Sequence, residues 1–95
     1  MTDQASGPPI ARFHVLVEVR QRPGIADPQG ATIERALPTL GYGEIHDVRV
    51  GKAIRFTIDA PDADAARARV EALCQEFLTN PVIEDAVVTV EEASA

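Results

Sequence analysis

Cysteine and histidine are the side chains here best suited to catalysis, and the sequence has one cysteine and two histidines. Cys74 lies between Leu73 and Gln75 inside an apolar helical pattern, whereas a nucleophilic thiol needs a base within reach and a lowered pKa. His14 and His46 lie on separate predicted strands, and a metal site needs three or four converging ligands. The pattern therefore favours a buried, unreactive cysteine and two surface histidines over a catalytic or metal centre.

Acidic pairs and glycines give no enzymatic motif either. Glu84-Asp85 and Glu91-Glu92 are adjacent pairs on a predicted strand, where neighbouring side chains point to opposite faces. An acid–base couple needs both groups on one side, so neither pair supplies one. The six glycines form neither a phosphate-binding loop nor a dinucleotide-binding motif. We therefore expect no catalytic residue, no cofactor and no metal in this chain.

One polar cluster suggests binding instead. Arg49, Lys52 and Arg55 lie on or beside a predicted hairpin, and Arg20 and Arg22 lie on a loop that could approach them. Two interpretations stay open for this basic group: a solvated sheet edge and a docking surface for an anionic partner. The docking surface is the one polar feature of the sequence that indicates a function.

The overall charge limits the kinds of partner. A net charge of −6 and a sequence pI of about 4.7 argue against a nucleic-acid partner. Residues 1–58 hold seven Lys and Arg against six Asp and Glu, and residues 59–95 hold two against nine. The mixed-charge first part is thus the better candidate for specific docking. No segment has the pattern of a membrane span or a secretory signal, and we expect a cytoplasmic location.

Hydrophobic periodicity predicts one domain over residues 12–92, between flexible tails at 1–11 and 93–95. The predicted elements are, in order, a strand alternating from Phe13 to Val19, a helix from Asp27 to Gly41, strands over 44–50 and 53–60 joined near Gly51-Lys52, a helix from Pro61 to about Thr79, and a strand over 82–91. This order is the β-α-β-β-α-β pattern of the α+β ferredoxin-like fold, in which two helices cover one face of an antiparallel sheet.

The predicted core combines one face of each strand with one stripe of each helix. Pro38 conflicts with the first helix, because an interior proline removes a backbone hydrogen bond. The residues expected in the core are Val15, Val17, Ile33, Leu37, Leu40, Ile54, Phe56, Ile58, Val70, Leu73 and Phe77.

The last strand has apolar residues on both faces, which is unusual for the free edge of a sheet. We therefore expect a partner subunit to cover it. The candidates for this oligomer interface are Val82, Ile83, Ala86, Val87, Val88 and Val90.

Several short motifs resemble the PurS family, the small subunit of phosphoribosylformylglycinamidine (FGAM) synthase. They are Pro23-Gly24, Asp27-Pro28-Gln29-Gly30, Glu34-Arg35-Ala36-Leu37, Leu40-Gly41-Tyr42, Asp47-Val48-Arg49-Val50-Gly51-Lys52 and Asn80-Pro81-Val82-Ile83-Glu84-Asp85. The resemblance covers about residues 12–91, and Cys74 and Leu78 also match it. Pro38 and Ala86 depart from it, where a helix former and a larger side chain are usual.

The resemblance implies a non-catalytic subunit of a three-part ligase in de novo purine biosynthesis. A glutaminase subunit would release ammonia from glutamine, and a large synthetase subunit would use ATP and Mg to convert formylglycinamide ribonucleotide to FGAM. The small subunit would associate with itself as a dimer or tetramer, bridge the two larger subunits and assist ammonia transfer. Arg49, Lys52 and Arg55 would then be candidates for the partner interface.

Two other functions stay open from the residues alone. A ferredoxin-like dimer can bind a small molecule between its protomers as a regulatory domain, and a ligand-dependent shift in melting temperature would favour that function. An autonomous enzyme such as a small isomerase would need an acid–base pair in a pocket, which the sequence does not supply.

Overall fold

Residues 10–93, which the computed structural model describes, form three strands and two α-helices. The elements are, in chain order, β1 (Ala11–Gln21), α1 (Pro28–Ala36), β2 (Lys52–Ala60), α2 (Ala63–Leu73) and β3 (Glu84–Glu92). A 3-10 turn (Pro38–Leu40) follows α1, and a π-helical segment (Cys74–Leu78) continues α2. Most of the two predicted tails lies outside the described residues, and β1 begins one residue before the predicted domain.

β1 is the central strand of the sheet. Its alternate residues from Phe13 to Val19 are apolar and buried. It pairs antiparallel with both other strands, so the sheet order is β2-β1-β3. Val17 lies opposite Ile54 on β2 and Val88 on β3, and residues directly opposite share a face of the sheet. α2 covers this apolar face. The antiparallel order with helical cover confirms the predicted α+β, ferredoxin-like class.

α2 and the π-helical segment that continues it pack on the sheet through Ala66, Val70 and Cys74, which are spaced four residues apart and are all buried. The Asp62 carboxylate caps the helix by accepting a hydrogen bond from the Ala65 backbone N–H at 2.7 Å. The small side chain of Ala66 lets the helix approach the sheet closely. The start predicted near Pro61-Asp62 is therefore confirmed.

The end of this helix is also as predicted. The backbone N–H and the hydroxyl of Thr79 both donate to the carbonyl oxygen of Cys74, at 3.0 and 2.9 Å. These bonds close the π-helical segment, and Thr79 itself adopts an extended backbone. The chain then turns through Asn80 and Pro81 into β3.

Residues 23–50 form a lobe of their own, which we call the arm. The arm contains α1, the 3-10 turn and the irregular segment 44–50, and no arm residue belongs to either apolar cluster of the core. The radius of gyration of 18.9 Å exceeds the roughly 12 Å of a compact chain of this length. The arm therefore extends from the end of the sheet, and among the described residues only α2 and its π-helical continuation cover the apolar face.

The helix in the arm ends as its sequence predicts. α1 ends at Ala36, and Pro38 starts a 3-10 turn, because proline has no N–H for an α-helical bond. Gly41 has φ of +97°, the left-handed conformation of a helix C-cap.

The strand predicted over 44–50 is not formed in a single chain, which is a correction to the sequence analysis. Asp47 has φ of +60°, which interrupts the extended backbone. β2 already begins at Lys52, paired with Val19, so only Gly51 separates it from Val50. A tight hairpin needs two residues outside the ladder, and the chain runs on past the sheet instead.

The predicted core is correct for the sheet and α2 but wrong for several helical residues. Val15, Val17 and Val70 are buried, and the partly buried side chains packed against them are Ile54, Phe56 and Ile58. Leu37 is half-buried but lies outside both apolar clusters. The residues predicted in the core but exposed are Ile33, Leu40, Leu73 and Phe77. The first two lie on the arm, away from the sheet, whereas Leu73 ends α2 and Phe77 lies in the π-helical segment, both on a side that the sheet does not cover.

Candidate protein-interaction site

Two of the three predicted basic residues lie at one cavity. This cavity of about 500 Å³ opens where the arm joins the sheet, and its lining includes Arg20, Arg49 and Lys52 beside Gly51. Gly51 packs closely on β1, since a Cβ there would lie 2.6 Å from the carbonyl oxygen of Val19. The close approach brings the basic residues of the arm and of β2 to the same end of the sheet.

Arg55 lies on the other face of the sheet. Lys52 pairs with the buried Val19, whereas Arg55 pairs with Leu16, and residues an odd number apart on a strand point to opposite faces. Arg55 lines a different cavity with His14 and Glu91. The predicted basic group is thus divided between the two faces at one sheet edge.

Asp27 joins the start of α1 to segment 44–50 of the arm. Its carboxylate accepts hydrogen bonds from the backbone N–H of Gly30 at 3.0 Å and of Val50 at 2.8 Å. These bonds, the Gly30 bond first, and the nearby Arg49 guanidinium hold the pKa of Asp27 below its usual value. Arg49 is itself positioned by donating to the carbonyl oxygen of Ile25 at 3.1 Å.

Glu34 makes a second connection within the arm. Its carboxylate accepts a hydrogen bond from the backbone N–H of Val48 at 2.9 Å. Gly30 permits this packing, because a Cβ at that position would overlap the carbonyl oxygen of Val48. The sequence predicts Asp27 as the N-cap of the first helix, and its bond from the Gly30 N–H confirms this. Sequence reasoning missed its bond to Val50 and the roles of Gly30 and Glu34, for which the only signal was the spacing in the quoted motifs.

The predicted oligomer interface is also divided between two faces. The inward-facing residues Ala86, Val88 and Val90 pack against the chain's own core. Val87 is 42% exposed on the opposite face and Val82 is 78% exposed in the turn before β3. The sixth candidate, Ile83, is half-buried, and its carbonyl oxygen accepts a hydrogen bond from the backbone N–H of Arg22 at 2.8 Å. α2 therefore covers the inward face of β3, which is one of the two faces that were expected to need a partner subunit.

The possible catalytic residues lie apart from one another. Burial, together with the nearby Glu71, raises the pKa of the Cys74 thiol, which is the opposite of nucleophilic activation. His14 lies on the exposed face of β1, and His46 lies in the arm. Within residues 10–93, no group of three His, Cys, Asp or Glu side chains lies close enough to hold a metal ion. The same residues include no helix of the length and apolarity needed to cross a membrane.

Comparison with known proteins places this arrangement in a family. The family model described as PurS, phosphoribosylformylglycinamidine (FGAM) synthase, matches residues 14–92. The PurS subunit from Methanothermobacter thermautotrophicus is 43% identical over 81 residues, which are 85% of this chain and 95% of that protein.

Solved structures agree with the sequence match. The crystal structure of the purS subunit from Thermotoga maritima superposes with a TM-score of 0.79 at 32% identity, covering 86% of this chain and 94% of that chain. A chain of the PurLQS structure from the same organism superposes with a TM-score of 0.77 at 33% identity, covering 83% and 96%. The chain therefore belongs to the PurS family of FGAM synthase subunits.

Proposed function

We propose that this chain is the non-catalytic small subunit of an FGAM synthase in purine biosynthesis and that it bridges the glutaminase and synthetase subunits. The observation that carries the proposal is its exposed apolar surface. Phe77 is 79%, Val82 78% and Leu40 67% exposed. Large apolar side chains exposed on several parts of a small chain mark surfaces that contact other proteins. Membership of the PurS family supplies the identity of the complex.

The chemistry of the complex is assigned to its larger subunits. The raised pKa of Cys74 supports a glutaminase thiol that belongs to another chain. ATP and Mg are proposed to bind the synthetase subunit, which converts formylglycinamide ribonucleotide and ammonia to FGAM. This chain is proposed to act in the cytoplasm, where ATP is available, by holding the two larger subunits together for ammonia transfer.

The basic edge of the sheet is the proposed docking surface for a larger subunit. Arg49 and Lys52 lie at its cavity, and Arg55 lies on the other face of the same edge strand. Two faces with basic residues at one edge suit an acidic partner that contacts both sides of the edge. Self-association as a dimer or tetramer is proposed to cover the remaining apolar residues, with Val82 and Val87 as the exposed candidates near and on β3.

The test compares two nitrogen sources. Product formation is measured with glutamine and with free ammonia, using the two larger subunits with and without this chain. The glutamine-dependent rate should require this chain, whereas the ammonia-dependent rate should not, because the synthetase carries that step. An unchanged glutamine-dependent rate without this chain would show that the bridging role is wrong.

A small-molecule regulatory domain is the second candidate, and one observation favours it. The Oε1 atom of Gln21 is buried beside the basic cavity and has no hydrogen-bond partner within the described part of the chain. A bound ligand with a donor group would satisfy it. Screening anionic metabolites for a shift in melting temperature distinguishes this function from bridging.

A further inference from the structure

The cavity where the arm joins the sheet, which we call the basic cavity, has the composition of an anion-binding site. Its lining includes Arg20, Arg49 and Lys52, together with the carboxylate of Glu18. We propose that the basic cavity binds a phosphate monoester that also carries a free hydroxyl group, as sugar phosphates and nucleoside monophosphates do. The inference rests on the regulatory function given above as the second candidate, and it names the ligand class and the residues that recognise it.

The basic cavity exists because two neighbouring strands end at different positions. β1 runs to Gln21, whereas its last pairing with β2 joins Val19 to Lys52. Arg20 and Gln21 therefore extend beyond the start of β2, and the arm leaves the sheet beside them at Gly51. The space between the end of β1 and the arm is about 500 Å³, which lies within the range of pockets that hold a small organic molecule.

The cations of the basic cavity are available to an anion. Lys52 is exposed and makes no ion pair within residues 10–93. Arg49 donates to the carbonyl oxygen of Ile25 at 3.1 Å, which positions the guanidinium and leaves most of its five N–H groups free. Arg20 has only a loose contact, 3.9 Å between its Nη2 and Oε1 of Glu18.

The charge of the lining matches a phosphate monoester better than a single carboxylate. Three cations against one carboxylate leave two positive charges among the lining residues. A phosphate monoester carries close to two negative charges at neutral pH, because its second pKa is about 6. Gly51 adds a backbone donor, since its N–H donates no hydrogen bond within the described residues, and free backbone N–H groups are suited to phosphate oxygens.

Gln21 accounts for the hydroxyl group of the ligand. Its Oε1 atom is buried and accepts no hydrogen bond within the described part of the chain. Gln21 lines both the basic cavity and a smaller cavity of about 200 Å³ beside it. A buried acceptor needs a donor, and a fully ionised phosphate group only accepts hydrogen bonds. The donor must therefore be a separate group of the ligand, and a hydroxyl close to the phosphate supplies it.

Calorimetric titration of the full chain with four compounds at constant ionic strength tests the ligand class. Ribose 5-phosphate should bind, and neutral ribose should not. Methyl phosphate, which has no hydroxyl group, should bind about 2–10-fold more weakly than ribose 5-phosphate, the effect of one neutral hydrogen bond. Adenosine 5′-monophosphate distinguishes the two sources of this chemistry: tighter binding than ribose 5-phosphate indicates a nucleotide, and weaker binding indicates a sugar phosphate.

Three variants test the residues. Lys52→Ala should lower the affinity for ribose 5-phosphate by about 10-fold or more, because a charge-assisted hydrogen bond is lost. Gln21→Met should remove the difference between ribose 5-phosphate and methyl phosphate. Arg69→Ala is the matched control: it removes one positive charge from an exposed position on α2, outside the lining, and should keep the wild-type affinity. In NMR titrations of the wild type, the largest shifts should occur at the amide of Gly51 and the side-chain amide of Gln21.

The outcomes separate the site from the functions proposed above. Equal losses of affinity in Lys52→Ala and Arg69→Ala would show that the binding is non-specific and would overturn the site. If a dicarboxylate raises the melting temperature and phosphate monoesters do not, the ligand class is wrong while the regulatory function stands. If no anion binds, both are wrong. The bridging role is tested separately by the comparison of glutamine with ammonia, and none of these outcomes changes it.

Discussion

Gly30→Ala is the change that tests the internal packing of the arm most directly. Gly30 is buried in α1, and a Cβ there would overlap the carbonyl oxygen of Val48 and lie 2.7 Å from Oδ2 of Asp27. Both neighbours are held in place, Val48 by its hydrogen bond to Glu34 and Asp27 by its two backbone bonds. The methyl group therefore fits only if segment 44–50 moves away from the helix.

Two opposed effects set the sign of the change in stability. Alanine is favoured over glycine in a helix by about 0.8–1 kcal/mol. Overpacking a filled space costs about 1–3 kcal/mol, and a backbone carbonyl has no alternative rotamer that relieves the overlap. We place the overlap in the upper half of that range and, after subtracting the helix-propensity gain, expect Gly30→Ala to lower the free energy of unfolding by about 1–2 kcal/mol.

Urea unfolding measures the total effect, and amide hydrogen exchange at Val48 and Val50 measures the local one. Both amides should exchange faster in the variant, since their carboxylate acceptors move away. Gly43→Ala is the matched control, because the nearest atoms to its added Cβ lie at 4.0 Å, and its effect should stay within about 0.5 kcal/mol. A Gly30→Ala protein that is more stable by about 1 kcal/mol would show that helix propensity decides at this position and that the packing argument is wrong.

Three further predictions concern the core, the arm and the basic edge. Val70→Ala removes two methyl groups from a fully buried site and should lower the free energy of unfolding by about 2–3 kcal/mol in urea titrations; a loss below about 1 kcal/mol would place Val70 outside the core. The pKa of Asp27 is lowered from 3.8 in the folded chain, so its carboxylate stabilises the fold above that pH and loses this contribution as pH falls through the folded value. The gap in urea midpoint between wild type and Asp27→Asn should therefore narrow from pH 7 to pH 3, and a constant gap would contradict a charge effect. Lys52→Glu should weaken binding to the larger subunits in pull-downs, more at low than at high salt. Arg55→Glu, on the opposite face, should also weaken binding, because the proposed partner contacts both sides of the edge; unchanged binding by both variants would contradict this docking surface.

The sheet and α2 could be predicted because local sequence and tertiary packing agree there. Period-two alternation from Phe13 to Val19 identified the first strand and its buried face, and Asp62 with Asn80-Pro81 marked the ends of the second helical region. Each of these signals acts within a few residues, so no information about the rest of the molecule was needed.

The position of the arm could not be predicted from the same signals. Ile33 and Leu40 have the spacing of a core face, but periodicity shows only that a face is apolar and not which sheet it meets. The prediction of a hairpin near Gly51 was wrong because the pairing of β2 with β1 already begins at Lys52. Strand register depends on long-range pairing, which the local sequence does not show. The basic residues were identified by type, yet the division of Lys52 and Arg55 between two faces follows from that same register.

The described part of the chain has a thin core, in which Val17 and Val70 are its largest fully buried side chains. With so few large side chains fully buried, the interior of one chain stabilises the fold only weakly. Such a protein gains much of its free energy of folding from partners that bind the folded state. Its melting temperature should accordingly rise with protein concentration and again when the larger subunits are added. In a cell, copies made in excess of their partners would unfold more often and be degraded. Proteolysis of unassembled chains would then keep the subunits of the complex in balance.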